Sequence, residues 1–342
     1  MRARTVGDCA VGCALVALLG CSSTSGAGAR QDGGTATDAR PLGLPDVVFN
    51  MSGHVGPGGE IQDCVYVTMP TDRGDIAVNS AESHYTPGSH HFLVFRTSMT
   101  DLPDGGSVVH DCGGAELISG VKGTYYEAQA PEVHRTLPEG VAHVFKPGEI
   151  LLLTAHYLNT TTEGLDVHVK FQLHAMDPKK VVHEAGSIFF YNPQITLPPL
   201  SDVTVTRTCP IPQDMNMALL WSHMHSRGVS FEATTDDPEV NARVGSLYSG
   251  TDWSEPAART FPLAPPVTVH GGSTITYTCR FHNGTATTIV QGPSAATNEM
   301  CILHGMYWPR QDPLTELCLT GKSTSDPPPP DAGAARDAGA RK

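Results

Sequence analysis

Short apolar segments separated by turn residues dominate this chain and limit the folds that it can form. Many of the segments are rich in β-branched or aromatic residues, and glycine, proline, asparagine or aspartate separates them. The chain has 35 glycines and 27 prolines, as frequent turns require. The pattern predicts an all-β protein made of antiparallel β-sandwiches. The predicted strands include residues 64–69, 91–95, 150–157, 167–173, 203–206, 218–221, 230–234 and 273–279.

A polar, proline-containing break divides the strand-rich part of the chain into two halves. The break lies at residues 176–180, and we predict one domain over residues 44–178 and another over 179–321. Residues 22–43 are rich in glycine, alanine and serine, which predicts a flexible linker. Residues 322–342 include four consecutive prolines and a repeat of small residues, which predicts a disordered tail.

The amino terminus has the pattern of an export signal. Arg2 and Arg4 precede a short apolar stretch that ends in Leu18-Leu19-Gly20-Cys21 and is too short to span a bilayer. A small residue before a cysteine at this depth is typical of a bacterial lipobox. We therefore predict a lipoprotein signal over residues 1–21 and a lipid on Cys21, which would anchor the exported chain at the outer membrane, facing the periplasm or the cell surface. The alternative is a plain secretory signal with an incidental cysteine.

The charge of the chain argues against one class of partner. The formal net charge is −13, and the predicted signal contributes one positive charge, so the mature form carries −14. Nucleic-acid-binding surfaces are basic, so this acidity argues against a nucleic-acid partner. The sequence indicates no protein partner, and no segment beyond the signal is long and apolar enough to span a membrane.

Six cysteines remain after the signal and the lipidation candidate are set aside. An even number in an exported protein predicts three disulfides, although six cysteines allow fifteen pairings and their spacing does not choose among them. A zinc site is disfavoured because the chain has no Cys-x-x-Cys pair. The six are Cys64, Cys112, Cys209, Cys279, Cys301 and Cys318.

Two histidines and a methionine in the second half suggest a copper site. His223 and His225 are two positions apart, which places both rings on one face of a β-strand. Met300 offers a thioether, which selects Cu(I), whereas imidazole accepts both copper oxidation states. Taken singly, these features have ordinary explanations, namely two surface histidines and a methionine that fills the core.

A second set of possible ligands, His90, His91 and His156, lies in the first half. Adjacent residues point to opposite faces of a regular strand, so a metal shared by His90 and His91 requires a bulge or a strand end. His156 lies in a predicted strand and can complete the set from a neighbouring strand. The two sets predict two copper ions, one on each half, and this suggests redox chemistry with oxygen rather than a structural metal.

Five motifs, taken in order, resemble those of the copper type II, ascorbate-dependent monooxygenases. The resemblance spans about residues 61–318, and no single motif is decisive. The motifs are Ser89-His90-His91-Phe92-Leu93-Val94-Phe95, Leu137-Pro138-Glu139-Gly140-Val141 leading to Leu153-Thr154-Ala155-His156-Tyr157, Ser222-His223-Met224-His225, Cys279-Arg280-Phe281-His282-Asn283, and Glu299-Met300-Cys301.

The resemblance implies two consecutive antiparallel, jelly-roll-like β-sandwich domains that face each other across a cleft. It assigns His90, His91 and His156 to an electron-transfer copper, and His223, His225 and Met300 to the catalytic, oxygen-binding copper. It also implies three disulfide pairs, which use all six cysteines. These pairs are Cys64–Cys112, Cys209–Cys318 and Cys279–Cys301.

The implied activity is hydroxylation of an activated C–H bond of a small organic substrate. The reaction of this family uses two copper ions, which cycle between Cu(I) and Cu(II). It also consumes O2 and takes electrons from ascorbate or another reductant. The peptide-amidating members have an arginine at the position of Trp221, and an asparagine and a tyrosine at those of Ile302 and His304. The changes favour an apolar or aromatic substrate over a peptide C-terminus, with these three residues as candidates for the substrate pocket. Packing of Trp221 in the core is the alternative.

The sequence is also compatible with two other functions. A copper-binding lipoprotein for storage, sensing or electron transfer would keep the six ligands without turnover. A cell-surface β-sandwich interaction module with incidental histidines would bind no copper. The presence of all six possible ligands in the family's order argues against the interaction module.

Overall fold

The computed structural model describes residues 45–103, 108–110, 112, 120–311, 316–318 and 320–326. The predicted signal, the lipidation candidate Cys21, the predicted linker, and residues 327–342 of the predicted tail lie outside the described residues. Within the described part of the chain, no helix is long and apolar enough to cross a membrane.

The strands of the first half form two sheets. One has the order β1-β10-β3-β8-β11 with β7 also paired to β3, and the other has the order β5-β2-β9-β4-β6. Apart from the parallel pair β8–β11, the pairings are antiparallel. The strands are β1 (Val47–Val55), β2 (Glu60–Thr68), β3 (Ile76–Tyr85), β4 (Ser89–Thr97), β5 (Val108–Val109), β6 (Val121–Ala128), β7 (Glu132–Thr136), β8 (Val141–Phe145), β9 (Ile150–Leu158), β10 (Leu165–Met176) and β11 (His183–Glu184).

The strands of the second half form three sheets. Their orders are β12-β23-β15-β18 with β19 also paired to β15, β17-β16-β20-β14-β24, and β13-β21-β22. A 3-10 helix (Pro178–Lys180) and an α-helix, α1 (Pro238–Val244), accompany the strands. The strands are β12 (Gly186–Tyr191), β13 (Thr196–Leu197), β14 (Ser201–Pro210), β15 (Met215–Met224), β16 (Gly228–Thr235), β17 (Tyr248–Gly250), β18 (Arg259–Thr260), β19 (Thr268–Val269), β20 (Thr274–Asn283), β21 (Ile289–Gln291), β22 (Asn298–Glu299), β23 (Cys301–Trp308) and β24 (Lys322–Asp326).

The burial of the strands follows from their residue patterns. In β10, every second residue from Val167 to Leu173 is buried, and the residues between them are more exposed, as expected for a strand with one face on the core. β9 and β23 are buried almost throughout, because both of their faces are covered. The fold therefore places His156 on β9 and His304 on β23 inside the protein.

The all-β prediction is confirmed, but the five sheets do not divide clearly into two sandwiches across a cleft. The described residues between 45 and 326 belong to one compact unit. Leu137 and Val141 of the first half belong to the apolar core of the second half. Contacts of this kind between distant segments depend on packing, which strand periodicity does not encode.

Two predicted boundaries differ from the structure. The strand β11 lies after the predicted break at residue 178 but pairs with β8 of the first half, so sheet membership changes between β11 and β12. Residues 322–326 were predicted to begin the disordered tail, and instead they form β24, which pairs with β14. Their side chains are polar, so this edge strand has no apolar run that marks it in the sequence.

The structure contains the three disulfides that the family resemblance implies. Cys64–Cys112 joins β2 to a following loop. Cys209–Cys318 joins β14 to the segment before β24, and Cys279–Cys301 joins β20 to β23. The last bond fixes the start of β23 directly after Met300.

Candidate metal centre

The first set of predicted ligands lies on two neighbouring strands. The register between β4 and β9 shifts between Ser89 and His91, which is the irregularity that two adjacent histidine ligands require. Beyond this shift, His91 pairs directly with His156. The ring centroids are 4.9 Å apart for His90–His91 and for His91–His156, and 5.3 Å apart for His90–His156. The three rings are therefore mutual neighbours.

The second set lies where β15 and β23 meet at one end. His223 and His225 have ring centroids 5.5 Å apart. The two strands are antiparallel, with Met224 opposite Cys301. One position further along, the backbone N–H groups of His225 and Met300 both donate to Glu299 Oε2, so the backbone of the methionine lies close to the histidine pair.

The rings of both sets form one group, which we call the histidine cluster (His90, His91, His156, His223 and His225). His90 and His225 have centroids 5.0 Å apart, and His91 and His223 have centroids 5.3 Å apart. A ring nitrogen from each of His90, His91 and His223 lies within 4.8 Å of the other two. The sequence predicted a separate site on each half, whereas the structure brings the two sets together.

Each ring of the histidine cluster has one buried nitrogen with no hydrogen-bond partner among the described residues. A buried polar atom without a partner is costly, so five in one place call for an explanation. A bound metal ion supplies one, because a neutral imidazole binds metal through its lone pair. The unpartnered atoms are His90 Nε2, His91 Nδ1, His156 Nδ1, His223 Nε2 and His225 Nε2.

Burial keeps these imidazoles neutral. It lowers the pKa of His223 to about 3, with a smaller contribution from neighbouring His156. It also lowers the pKa of His225 to about 3 and holds the pKa values of His90 and His91 well below the ordinary value. For His156, burial lowers the pKa, and the adjacent carboxylate of Glu60 opposes this. Neutral rings at physiological pH are the form that coordinates a metal.

The remaining ring nitrogens of three cluster histidines contact oxygen atoms. His156 Nε2 lies 2.9 Å from Glu60 Oε1, and His225 Nδ1 lies 3.0 Å from the backbone oxygen of Asn298. His223 Nδ1 lies 3.4 Å from Glu127 Oε1. Contacts of this type favour the tautomer whose other nitrogen is free to coordinate, and they orient the ring.

Glu60 also connects the two halves of the chain. It lies at the start of β2, and besides contacting His156 it accepts hydrogen bonds from Ser294 Oγ at 2.9 Å and from the backbone N–H of Ala295 at 3.0 Å. Its carboxylate therefore joins the first ligand set to the loop that precedes Met300. Sequence analysis missed this residue, and no local signal marks it, because its partners are distant in sequence.

Glu299 organises the backbone around the second set. It is fully buried and accepts hydrogen bonds from the backbone N–H groups of His225 (3.0 Å), Arg227 (2.9 Å) and Met300 (3.3 Å). Burial raises its pKa to about 7, and these hydrogen bonds oppose that rise. Glu299 is part of a motif that sequence analysis identified, but it received no role there because its function depends on backbone contacts.

The predicted pocket residues Trp221, Ile302 and His304 are all buried, with 2%, 3% and 1% of their surface exposed. The Trp221 ring stacks on His304 with centroids 5.5 Å apart, and its Nε1 donates to Glu127 Oε2 at 2.5 Å. These contacts enclose the indole. They correspond to the packing alternative for Trp221 rather than to an open wall.

His304 and Glu127 extend the metal-binding potential of this region. A carboxylate oxygen of Glu127 and one ring nitrogen each of His223 and His304 lie within 4.8 Å of one another. His304 Nε2 is a further buried nitrogen without a partner among the described residues. Burial lowers the pKa of His304 to about 3, and the charge of Glu127 opposes this. His304 therefore has the same chemical character as the cluster histidines.

A comparison with protein families identifies the second half. Residues 183–325 match the family model of the copper type II ascorbate-dependent monooxygenase, C-terminal domain. The second half of the chain is therefore similar to this family's C-terminal domain. The matched region of the copper type II monooxygenase family includes His223, His225 and Met300, and the first ligand set lies before it.

Comparisons with individual proteins add little. No curated protein matches the sequence. Among solved structures, the major capsid protein P2 from Bacteriophage PM2 has a TM-score of 0.33 at 9% identity, over 78% of this chain and 100% of that chain. The N-terminal CBM22-1-CBM22-2 tandem domain from Paenibacillus barcinonensis Xyn10C has a TM-score of 0.13 at 10% identity, over 80% of each chain.

Proposed function

We propose that this protein is a copper-dependent monooxygenase that hydroxylates an activated C–H bond of a small organic substrate, using O2 and a reductant such as ascorbate. The observation that carries the proposal is the convergence of five buried, unpartnered imidazole nitrogens from both halves beside the backbone of Met300. The match of the second half to the family's C-terminal domain supports it independently.

The residues present fit copper. Five neutral imidazoles and one thioether form a ligand set that accepts Cu(II) and Cu(I), and the thioether favours Cu(I). His90, His91 and His156 would hold one ion, and His223, His225 and Met300 would hold the other. When bound, copper supplies the one-electron chemistry that activation of O2 requires.

The protein's own groups prepare this site in three ways. Burial keeps the imidazoles unprotonated, so that no proton competes for their lone pairs. Glu60 and Glu127 orient rings of the two sets through their second nitrogens. Glu299 accepts hydrogen bonds from the backbone N–H groups of both His225 and Met300, which holds these two segments of the backbone together.

We further propose a two-sandwich architecture with one sandwich for each half, and the ligand sets at their contact. Two sheets contain only strands from residues 47–184, and three contain only strands from residues 186–326, which supports this division. Export and attachment to the cell envelope through lipid on Cys21 is a proposal supported by the lipobox-like sequence.

The first test is copper content. We would load the chain lacking its predicted signal with Cu(I) under anaerobic reducing conditions, dialyse it exhaustively, and compare the parent with Met300→Ala and His156→Ala. We expect two copper ions in the parent and weaker retention in each variant. Zero or one copper in a folded parent would overturn the proposal, because the reaction requires both ions.

A copper-binding protein without turnover is the second candidate. The enclosure of Trp221, Ile302 and His304 favours it, since the predicted pocket wall is not open. Oxygen uptake separates the two functions. Ascorbate-dependent uptake that rises with an added apolar, hydroxylatable compound supports the enzyme. Stoichiometric copper with no such rise, across a panel of aliphatic and aromatic compounds, supports the binding protein.

A further inference from the structure

A second group of metal-ligating side chains lies on a different sheet, on strands β3, β7 and β10. The outward positions of these strands carry polar residues, whereas the alternate positions Ala81, Ser83 and Tyr85 of β3 are buried. Glu82 on β3 is directly opposite His134 on β7. His174 on β10 is opposite Ser80, one outward position from Glu82. The strand period therefore brings two imidazoles and a carboxylate onto one face.

The donor atoms of this group are close enough to share one ion. One carboxylate oxygen of Glu82 and one ring nitrogen each of His134 and His174 all lie within 4.8 Å of one another. His174 Nε2 lies 3.5 Å from Glu82 Oε2. Ser80 Oγ lies 2.6 Å from His134 Nε2, so a metal at that nitrogen would replace this hydrogen bond. The group differs from an acidic patch because two of its three donors are imidazoles.

Asp46 provides a second, independent observation. Its Oδ2 lies 3.0 Å from His174 Nδ1 and also accepts from Gln172 Nε2 at 2.8 Å. A proton on Nδ1 that is donated to Asp46 leaves the lone pair of His174 on Nε2, the nitrogen that faces Glu82. A carboxylate behind a histidine in this way is the arrangement that supports histidine ligands of zinc.

We propose that Glu82, His134 and His174 form a binding site for a first-row divalent metal ion, zinc in particular. Two imidazoles and one carboxylate are a zinc ligand set that leaves a coordination position for water. The side chains of Glu82 and His174 are 27% and 14% exposed, so an ion can reach them from solvent. The site shares no residue with the histidine cluster, and the proposal does not depend on the proposed monooxygenase function.

The site has a practical consequence for copper loading. Affinity of a nitrogen and oxygen site for divalent ions is higher for Cu(II) than for zinc. Loading with Cu(II) would therefore add one ion to those held by the histidine cluster. Loading with Cu(I) would fill this site less readily than loading with Cu(II), because its carboxylate is a hard ligand that suits Cu(I) poorly.

Zinc stoichiometry tests the proposal. We would titrate zinc into the metal-free chain by calorimetry and measure the zinc retained after dialysis. The proteins compared are the parent, a double variant with Glu82→Gln and His134→Ala, and the control variant His168→Ala. His168 is an exposed histidine on the same face of β10, and it is outside the group. Thermal melts would verify that each variant folds.

We expect the double variant to bind one zinc ion fewer than the parent, and the control to bind the same number. Asp46→Asn should keep the stoichiometry but weaken zinc binding at this site about tenfold, because the ring of His174 loses its charged partner. Unchanged stoichiometry and affinity in a folded double variant would overturn the site. Met300→Ala leaves these residues intact, so failure of the copper proposal is separable from failure of this one.

Discussion

At the scale of single residues, Glu60 shows how a carboxylate outside the ligand set can control it. Its Oε1 contacts His156 Nε2 at 2.9 Å and the backbone N–H of Ala295 at 3.0 Å. We expect Glu60→Gln to weaken copper retention by the His156 set about tenfold, because the amide supports the required tautomer less well than the carboxylate. Competition with a Cu(I) chelator measures this. Glu163→Gln, which changes an exposed glutamate, is the control, and equal retention in both variants would contradict the role of Glu60.

Part of this residue-level description follows from the sequence. The adjacency of His90 and His91 required a bulge, and the register shift at that position is present. The spacing of His223 and His225 put them together, and their rings are 5.5 Å apart. Glu60 and Glu127 could not be predicted from the sequence, because each contacts its histidine partner through tertiary packing that leaves no local sequence pattern.

At the scale of secondary-structure elements, two disulfides differ in what they hold. Cys279–Cys301 joins β20 to β23 beside Met300, with 22 residues of sequence separation, whereas Cys209–Cys318 has a separation of 109 and lies on β14, away from Met300. Loop-closure entropy predicts a loss of about 3 kcal/mol for the first and about 5 kcal/mol for the second. Replacement of both cysteines by alanine in each pair, followed by chemical denaturation, measures these losses.

Copper retention by the same two variants should rank in the opposite order. The Cys279→Ala, Cys301→Ala variant frees the backbone next to Met300, so we expect it to lose copper from the second set more readily. The Cys209→Ala, Cys318→Ala variant, although less stable, should retain copper like the parent under conditions where it is folded. If copper retention instead followed the stability of the two variants, the Cys279–Cys301 disulfide would have no specific role at the metal centre.

A buried carboxylate between β12 and β23 gives the protein a pH-dependent stability. Burial raises the pKa of Glu316 to about 7, against opposing effects that include a hydrogen bond from the backbone N–H of Ser187. The native state holds this proton more tightly than the unfolded state, so the contribution to stability is present below about pH 4.5 and is lost as the pH rises to about 7. The loss is about 3 kcal/mol.

Glu316→Gln should remove that contribution, because the amide does not titrate. We would measure the free energy of unfolding by denaturant titration at several pH values between about 5 and 8, on both sides of the raised pKa of Glu316. The buried histidines act in the opposite direction, since their lowered pKa values cost stability as the pH falls. The difference between variant and parent isolates Glu316, and parallel curves would show that its carboxyl does not titrate in this range.

The elements themselves were largely predictable, and their boundaries were less so. The eight predicted segments all lie in or overlap observed strands, because alternating and β-branched residues mark a half-buried strand directly. β24 was not predicted, because its residues are polar and it is stabilised by pairing with β14. β11 lies in the predicted second half but pairs with β8 of the first, because proline and lysine mark a turn without showing to which sheet the following residues pair.

At the scale of the whole molecule, the two ligand sets meet where the halves of the chain are in contact. Gln129 of the first half donates to the backbone oxygen of Trp253 at 3.0 Å, and Trp221 of the second half donates to Glu127 of the first. Each half carries three of the six proposed ligands. The sequence predicts which residues belong to each ligand set. The contact between the two halves, in contrast, results from packing of the core.

This convergence predicts that copper stabilises both halves together. A ligand that binds only the native state raises its stability by about 2.7 kcal/mol at one hundred times its Kd. Because each half would bind one ion and residues of the first half belong to the core of the second, copper loading should raise the unfolding temperature of both halves in a single transition. Calorimetry of the metal-free and Cu(I)-loaded chain measures this. His225→Ala removes one ligand from the second half, and we expect it to reduce the copper-induced rise of the single unfolding transition. If the halves unfolded independently, the first half would keep its full stabilisation in this variant and the melt would split into two steps.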